Sequence, residues 1–79
     1  MKVKVKYFGA IAELAGTNEE MVELELSGAE IKDLKEYCIR KYGLGNDDSL
    51  QLAVNQELNK TGTLRDGDEI AFLPPFSGG

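Results

Sequence analysis

The sequence contains no histidine and no tryptophan, a single cysteine, and two prolines in 79 residues. Without histidine the chain lacks the usual general base near neutral pH and the commonest metal ligand. Neither a Ser–His nor a Cys–His pair can be assembled, so self-contained catalysis is not expected. The lone cysteine, Cys38, excludes an intramolecular disulfide. No apolar run approaches the roughly 20 residues of a membrane span, and Lys2, Lys4 and Lys6 break up any signal-peptide core. A cytoplasmic protein is expected. Positive charge is also scarce: 9 Lys and Arg stand against 14 Asp and Glu, a net charge of −5. Neutralising phosphates requires a basic patch, so neither nucleic acid nor an anionic membrane is an expected partner. The balance suits docking on a basic protein surface, although most acidic domains are simply soluble.

The chain is long enough for one domain, which at this size buries about 60–65% of its unfolded surface. Its 42% hydrophobic and 29% charged residues are ordinary for a soluble globular fold. Residues Lys2–Phe8 alternate, with Val3, Val5 and Tyr7 on one face and Lys2, Lys4, Lys6 and Phe8 on the other, as in a half-buried strand. Ala10–Ala15 is rich in helix formers and stops at Gly16, which predicts a short helix. Met21–Leu26 alternates again, with Val22, Leu24 and Leu26 inward and Glu23 and Glu25 outward. If the two strands pair antiparallel, the outward lysines meet the outward glutamates.

Ser27-Gly28-Ala29-Glu30 has capping-box spacing and is expected to open the main helix. Ile31, Leu34, Cys38 and Tyr42 follow as one stripe, with Tyr37 on its edge and Gly43 as the stop. Leu50–Asn55 reads as a strand and Asn55-Gln56 as a tight turn into a short return strand near Leu58. Thr61-Gly62 and Asp66-Gly67 signal turns, and Glu69–Leu73 forms the last strand, with Ile70 and Phe72 on one face. A right-handed crossover through the long helix sets the strand after it parallel to the strand before it. The expectation is an α+β, β-grasp domain over residues 1–73: one mixed sheet wrapped on one main helix, with a short extra helix.

Residues 74–79, Pro-Pro-Phe-Ser-Gly-Gly, read as an extended tail. A terminal glycine pair adds nothing to a core and carries high backbone entropy. The bland account is a frayed end. Display is the better one. Pro74 and Pro75 favour an extended path, and six extended residues reach at most roughly 20 Å. Gly78 and Gly79, lacking Cβ, suit a channel too narrow for a side chain. The α-carboxylate of Gly79 is a poor electrophile until ATP-dependent adenylation activates it. The acyl group can then accept sulfur as a thiocarboxylate, or a lysine amine as an isopeptide bond.

The segment Asp66-Gly67-Asp68-Glu69-Ile70-Ala71-Phe72-Leu73-Pro74-Pro75-Phe76-Ser77-Gly78-Gly79 strongly resembles the C-terminus of MoaD-type sulfur carriers, in the ubiquitin-like MoaD/ThiS family. Val5-Lys6-Tyr7-Phe8 leading through Glu13-Leu14-Ala15-Gly16, and Ala53-Val54-Asn55-Gln56, resemble the family's first strand with its short helix and its third-strand turn. Ala12 departs from the arginine the family often carries just before the glutamate of that helix. The resemblance implies the small subunit of molybdopterin synthase, a sulfurtransferase in which the large subunit supplies the catalytic side chains and the two form a heterotetramer. It implies an E1-like adenylyltransferase that uses ATP, a persulfide sulfur donor, and no cofactor or metal on the carrier itself. On this reading Gly79 is adenylated and then thiocarboxylated, and Gly78 enters the partner's channel. A thiamine-thiazole carrier of the ThiS kind and a ubiquitin-like protein modifier are the alternatives.

A carrier that serves several partners needs a docking face. Phe8 is apolar among outward lysines, and Leu73 has outward parity in the last strand; such residues are a cost unless something covers them. Together with Leu58, Pro74, Pro75 and Phe76 they form the candidate partner-binding set, which resembles the family's contact surface. Cys38, in mid-stripe, is read as a small buried hydrophobe and not as a sulfur relay. Asp47-Asp48 and Glu19-Glu20 are read as solvated loop acids, since hard cations need several convergent oxygens.

Overall fold

The structure, a computed structural model, describes residues 1–24, 29–44, 50–58 and 61–74. Its elements run β1 (Lys2–Tyr7), α1 (Ala10–Ala15), β2 (Glu19–Glu23), α2 (Ile31–Tyr42), β3 (Gln51–Val54), β4 (Glu57–Leu58) and β5 (Glu69–Leu73). The strands form one sheet in the order β2-β1-β5-β3-β4. β1 is antiparallel to β2 and parallel to β5, while β3 is antiparallel to both β5 and β4. β2 and β3, on either side of α2, therefore run in the same direction, as the crossover requires.

Period-two alternation sorts the sheet into two faces. Val3, Val5, Tyr7, Val22, Leu52, Val54, Ile70 and Phe72 are buried on the face that carries α2, where Ile31, Leu34 and Cys38 join the same core. Phe72, Ile70, Val3, Val5, Val54, Leu34 and Cys38 are the largest fully covered side chains. Fully burying an aliphatic or aromatic side chain contributes about 1.5–3 kcal/mol. Removing one from the strand pair β1–β5 would therefore consume much of a small domain's stability. Tyr7 also stacks on Phe72 at 5.7 Å and meets Tyr42 edge-on at 5.5 Å.

The local punctuation acts where its chemistry allows. Gly16 and Gly43 adopt the left-handed conformation that ends α1 and α2. Asn55 and Gln56 both have positive φ, 51° and 71°, giving the two-residue hairpin between β3 and β4.

Two expected element boundaries are corrected. α2 does not open on a Ser27 capping box; it begins after Glu30, whose backbone N–H donates to Asp33 Oδ2 at 3.0 Å. The start is held from outside by Ile31 N–H donating to Gly62 O and Leu64 N–H donating to Ala29 O. β2 begins at Glu19, not Met21, because Glu19 and Glu20 pair with Lys6 and Val5 in the ladder; residues 25–28 lie outside the described set. The outward lysines of β1 do meet outward glutamates across the antiparallel pair, Lys2 opposite Glu23 and Lys6 opposite Glu19, while the close ion pairs join Lys4 to Glu19 at 3.3 Å and Lys6 to Glu69 of β5 at 2.9 Å.

Candidate docking face and tail root

The face opposite α2 carries the alternate residues. Cross-strand register aligns Lys6, Ala71, Ala53 and Leu58 in one row, and Leu73 with Gln51 in the next. Phe8 follows β1 directly and continues its outward parity. The row is thus charged on β1 and apolar from β5 to β4. Phe8 is 44% exposed and Leu58 50%, while Leu73 is half-buried. Ala53 is almost covered by its neighbours, which makes it floor and not contact surface. The two ion pairs, Lys4–Glu19 and Lys6–Glu69, border this apolar strip on one side. Their mutual attraction raises the Lys6 ammonium and lowers the Glu69 carboxyl from their ordinary values, with the hydrogen bond between them as the main cause. The result is an apolar surface with a charged border, a combination suited to binding.

The tail root lies in the middle of this arrangement. β5 is the central strand, flanked by β1 and β3. Phe8 N–H donates to Phe72 O at 3.2 Å, carrying the β1–β5 pairing beyond the end of β1. Pro74 follows Leu73 at the same end of the sheet and packs beside Gly9. Of the expected site residues, the structure brings Phe8, Leu73 and Pro74 to one end, with Leu58 on the same face two strands away. Pro75, Phe76, Gly78 and Gly79 lie outside the described residues, as do Asp47 and Asp48. Ala53 and Ala71 were missed as the floor of the face. Their parity marked them, but only the β3–β5 register joins them.

Sequence reading also missed a polar cluster on the other face, at the edge of the core. Glu20 is not a solvated loop acid. It lies in β2 and accepts hydrogen bonds from Tyr7 Oη at 2.6 Å and from Tyr42 Oη, and pairs with Lys41 at 3.6 Å. Burial acts to raise its carboxyl pKa, but donation by Tyr42 and Tyr7 and the nearby Lys41 outweigh it, and the net shift is downward. Burial, and then the hydrogen bond to Glu20, hold the Tyr7 phenol well above its usual range. Cys38 Sγ sits 3.7 Å from Tyr7 Oη, and burial pushes its thiol up. A raised, covered thiol is a poor nucleophile, as a core residue should be. Among the described residues no group of acidic or cysteine side chains converges as a metal site would, and no helix is long and apolar enough to cross a membrane.

Residues 5–79 match the ThiS family. The chain belongs to that family. A molybdopterin synthase sulfur carrier subunit of Mycobacterium tuberculosis is 40% identical, with 100% of this chain and 99% of that protein aligned. Among solved structures, a Pyrococcus furiosus protein described as molybdopterin converting factor, subunit 1, superposes with a TM-score of 0.81 at 35% identity, covering 95% of this chain and 98% of that one. The small archaeal modifier protein 1 of Methanosarcina acetivorans superposes with a TM-score of 0.73 at 30% identity, covering 99% and 96%. The mixed sheet wrapped on α2 is therefore the ubiquitin-like β-grasp of this ThiS-family chain, and the family match runs through the C-terminal glycines.

Proposed function

We propose that this protein is the sulfur carrier subunit of a molybdopterin synthase and bears its sulfur as a thiocarboxylate on Gly79. The observation that carries the reading is the 40% identity, over the whole chain, to a relative of that name. The apolar face beside a centrally placed C-terminal strand supports it, because a carrier must be gripped by its body while its end is delivered elsewhere.

The chemistry requires three partners. An E1-like enzyme joins the Gly79 carboxylate to the α-phosphate of ATP, and pyrophosphate leaves. A persulfide donor attacks the acyl-adenylate and AMP leaves. A second thiol then cleaves the sulfur–sulfur bond, leaving the thiocarboxylate on Gly79 and a disulfide on the donor side. The charged protein docks through Phe8, Leu58 and Leu73 on the large subunit, in a heterotetramer, and Gly78 and Gly79 enter that subunit's active site. Two such deliveries convert a cyclic pyranopterin precursor into the dithiolene of molybdopterin, in the cytoplasm. Catalytic side chains come from the large subunit. Residues 1–73 act as the handle and 74–79 as the delivered tail. The molybdopterin name of the relative that is 40% identical over the whole chain favours this role over that of a thiazole carrier. The test is deletion of Gly78 and Gly79, which should abolish precursor conversion while the far-UV spectrum and melting midpoint stay unchanged. Conversion by the truncated form would end the proposal.

The resemblance to a small archaeal modifier protein favours one second reading, in which Gly79 forms isopeptide bonds with lysines. Conjugates formed by the full chain and absent for the truncated one would establish it. No conjugates under conditions that charge the tail with sulfur would leave carriage alone.

A further inference from the structure

Five glycines fall among the described residues and all have positive φ. They differ in what a side chain would meet. A Cβ on Gly16, Gly43, Gly62 or Gly67 would find no heavy atom within 4 Å, so at these four the backbone conformation alone accounts for glycine. A Cβ on Gly9 would stand 3.3 Å from Pro74 Cγ, 3.8 Å from its Cβ and 3.9 Å from its Cδ. The first distance is too close for an ordinary carbon contact, so Pro74 would have to give by a few tenths of an ångström.

Neither side of this contact can easily back away. The Gly9 backbone, at φ 57° and ψ −136°, lies in a region that side-chain-bearing residues avoid. Its turn is pinned on both sides: Phe8 N–H donates to Phe72 O of β5, while Ile11 N–H and Ala12 N–H donate to Phe8 O and Gly9 O. Opposite it, the pyrrolidine ring locks φ of Pro74, so moving the ring turns the main chain with it. Pro74 is also the first residue after β5.

We infer that Gly9 is a positioning residue for the C-terminal tail: its missing side chain lets the Pro74 ring lie against the β1–α1 turn, and that contact sets the direction in which the chain leaves the sheet. The geometric claim stands alone; its kinetic consequence rests on the sulfur-carrier reading. A tail that must bring one carboxylate to a reacting centre is sensitive to its starting angle, because small errors at the root grow along its length. A misplacement of about 1 Å at a reacting centre can cost on the order of a hundredfold in rate.

The experiment is a double-mutant cycle of Gly9→Ala and Pro74→Ala with two readouts. One is paramagnetic attenuation of backbone amide signals by a nitroxide attached to Gly79→Cys, under native conditions in which buried Cys38 stays unlabelled. The other is single-turnover sulfur delivery by the charged protein to the large subunit. Gly9→Ala should redistribute the attenuation among Phe8, Leu58 and Leu73, and slow delivery about tenfold. KM for the carrier should hold, because the docking side chains remain. The double variant should resemble Pro74→Ala alone, because the clash needs the ring. Backbone strain at Gly9 is present in both Gly9→Ala forms, so a purely structural effect would instead multiply with that of Pro74→Ala. An unchanged attenuation pattern in Gly9→Ala, or a simple product of the two single effects, overturns the inference. Should Gly9→Ala fail to fold, Pro74→Ala alone must shift the pattern, and a wild-type pattern there overturns it equally. If the wild-type chain takes no sulfur, the carrier reading falls, while the attenuation data still decide the positioning claim.

Discussion

Tyr7 and Glu20 meet across the β1–β2 ladder, phenol to carboxylate, at 2.6 Å and thirteen residues apart in sequence. Tyr42 of α2 donates to the same Glu20 oxygen, so one carboxylate joins two strands and the main helix. Hydrogen bonds to charged groups contribute about 1.5–3 kcal/mol each, and Glu20→Ala leaves both phenols without their acceptor. We expect a loss of about 2–3 kcal/mol and a melting midpoint lower by roughly 10 °C or more. Glu20→Gln, which keeps one acceptor oxygen, should lose less. Calorimetry checks this, and an unchanged midpoint in Glu20→Ala would show the cluster to be ornamental.

The same carboxylate gives the fold an acid sensitivity of known sign. The folded pKa of Glu20 lies below its ordinary 4.5. Its contribution to stability is therefore fully present above about pH 4.5–5 and is lost as pH falls through the folded value. Urea midpoints measured from pH 6 downward should fall more steeply for the wild type than for Glu20→Gln, with the curves converging in acid. Parallel curves would contradict the assignment.

Gln56 holds φ at 71° in the β3–β4 hairpin, a conformation costing a side-chain-bearing residue on the order of 1 kcal/mol. Gln56→Gly should raise the urea midpoint, since relief of that strain exceeds the added freedom of the unfolded chain. A lower midpoint would show that the Gln56 side chain earns its place by contacts.

Cys38 is covered and its thiol pKa is raised. In the uncharged protein it should react with a thiol reagent such as DTNB only in denaturant. Cys38→Ala, at some cost in stability, should still be sulfurated at the C-terminus. Fast native-state reaction, or loss of sulfuration in a folded Cys38→Ala protein, would return this thiol to the chemistry.

Phe8 and Leu58 stand apart on the open face, both near half exposed. Phe8→Ala and Leu58→Ala should leave the melting midpoint nearly unchanged and weaken binding to the large subunit. A central contact of hot-spot strength is about 2 kcal/mol, near thirtyfold in Kd. Calorimetric titration separates this from no change at all, the result that would remove these residues from the interface.

Strand alternation made β1 and β5 legible, and the Ile31-Leu34-Cys38 stripe gave the buried face of α2, because each signal lies within one element. The boundaries that shifted depend on distant neighbours. Glu19 and Glu20 look like loop acids until Lys6 and Val5 draw them into a ladder. Ser27 looks like a cap, yet the helix begins where Gly62 and Asp33 satisfy its first N–H groups. The docking face was half legible. Parity marked Phe8 and Leu73 as outward candidates, but the approach of Phe8 to the end of β5 follows from the parallel β1–β5 pairing and the alanine floor from the β3–β5 register, which no local pattern encodes. The Gly9–Pro74 contact spans nearly the whole chain and had no local signal.

The central claim is that the C-terminal carboxylate is the reactive group. Intact-mass spectrometry of the protein, incubated with an E1-like activating enzyme, ATP and a persulfide donor, tests it most directly. The account predicts one oxygen-to-sulfur exchange, localised by fragmentation to Gly79 and absent when ATP is withheld. An unchanged mass, or sulfur localised to Cys38, would contradict it.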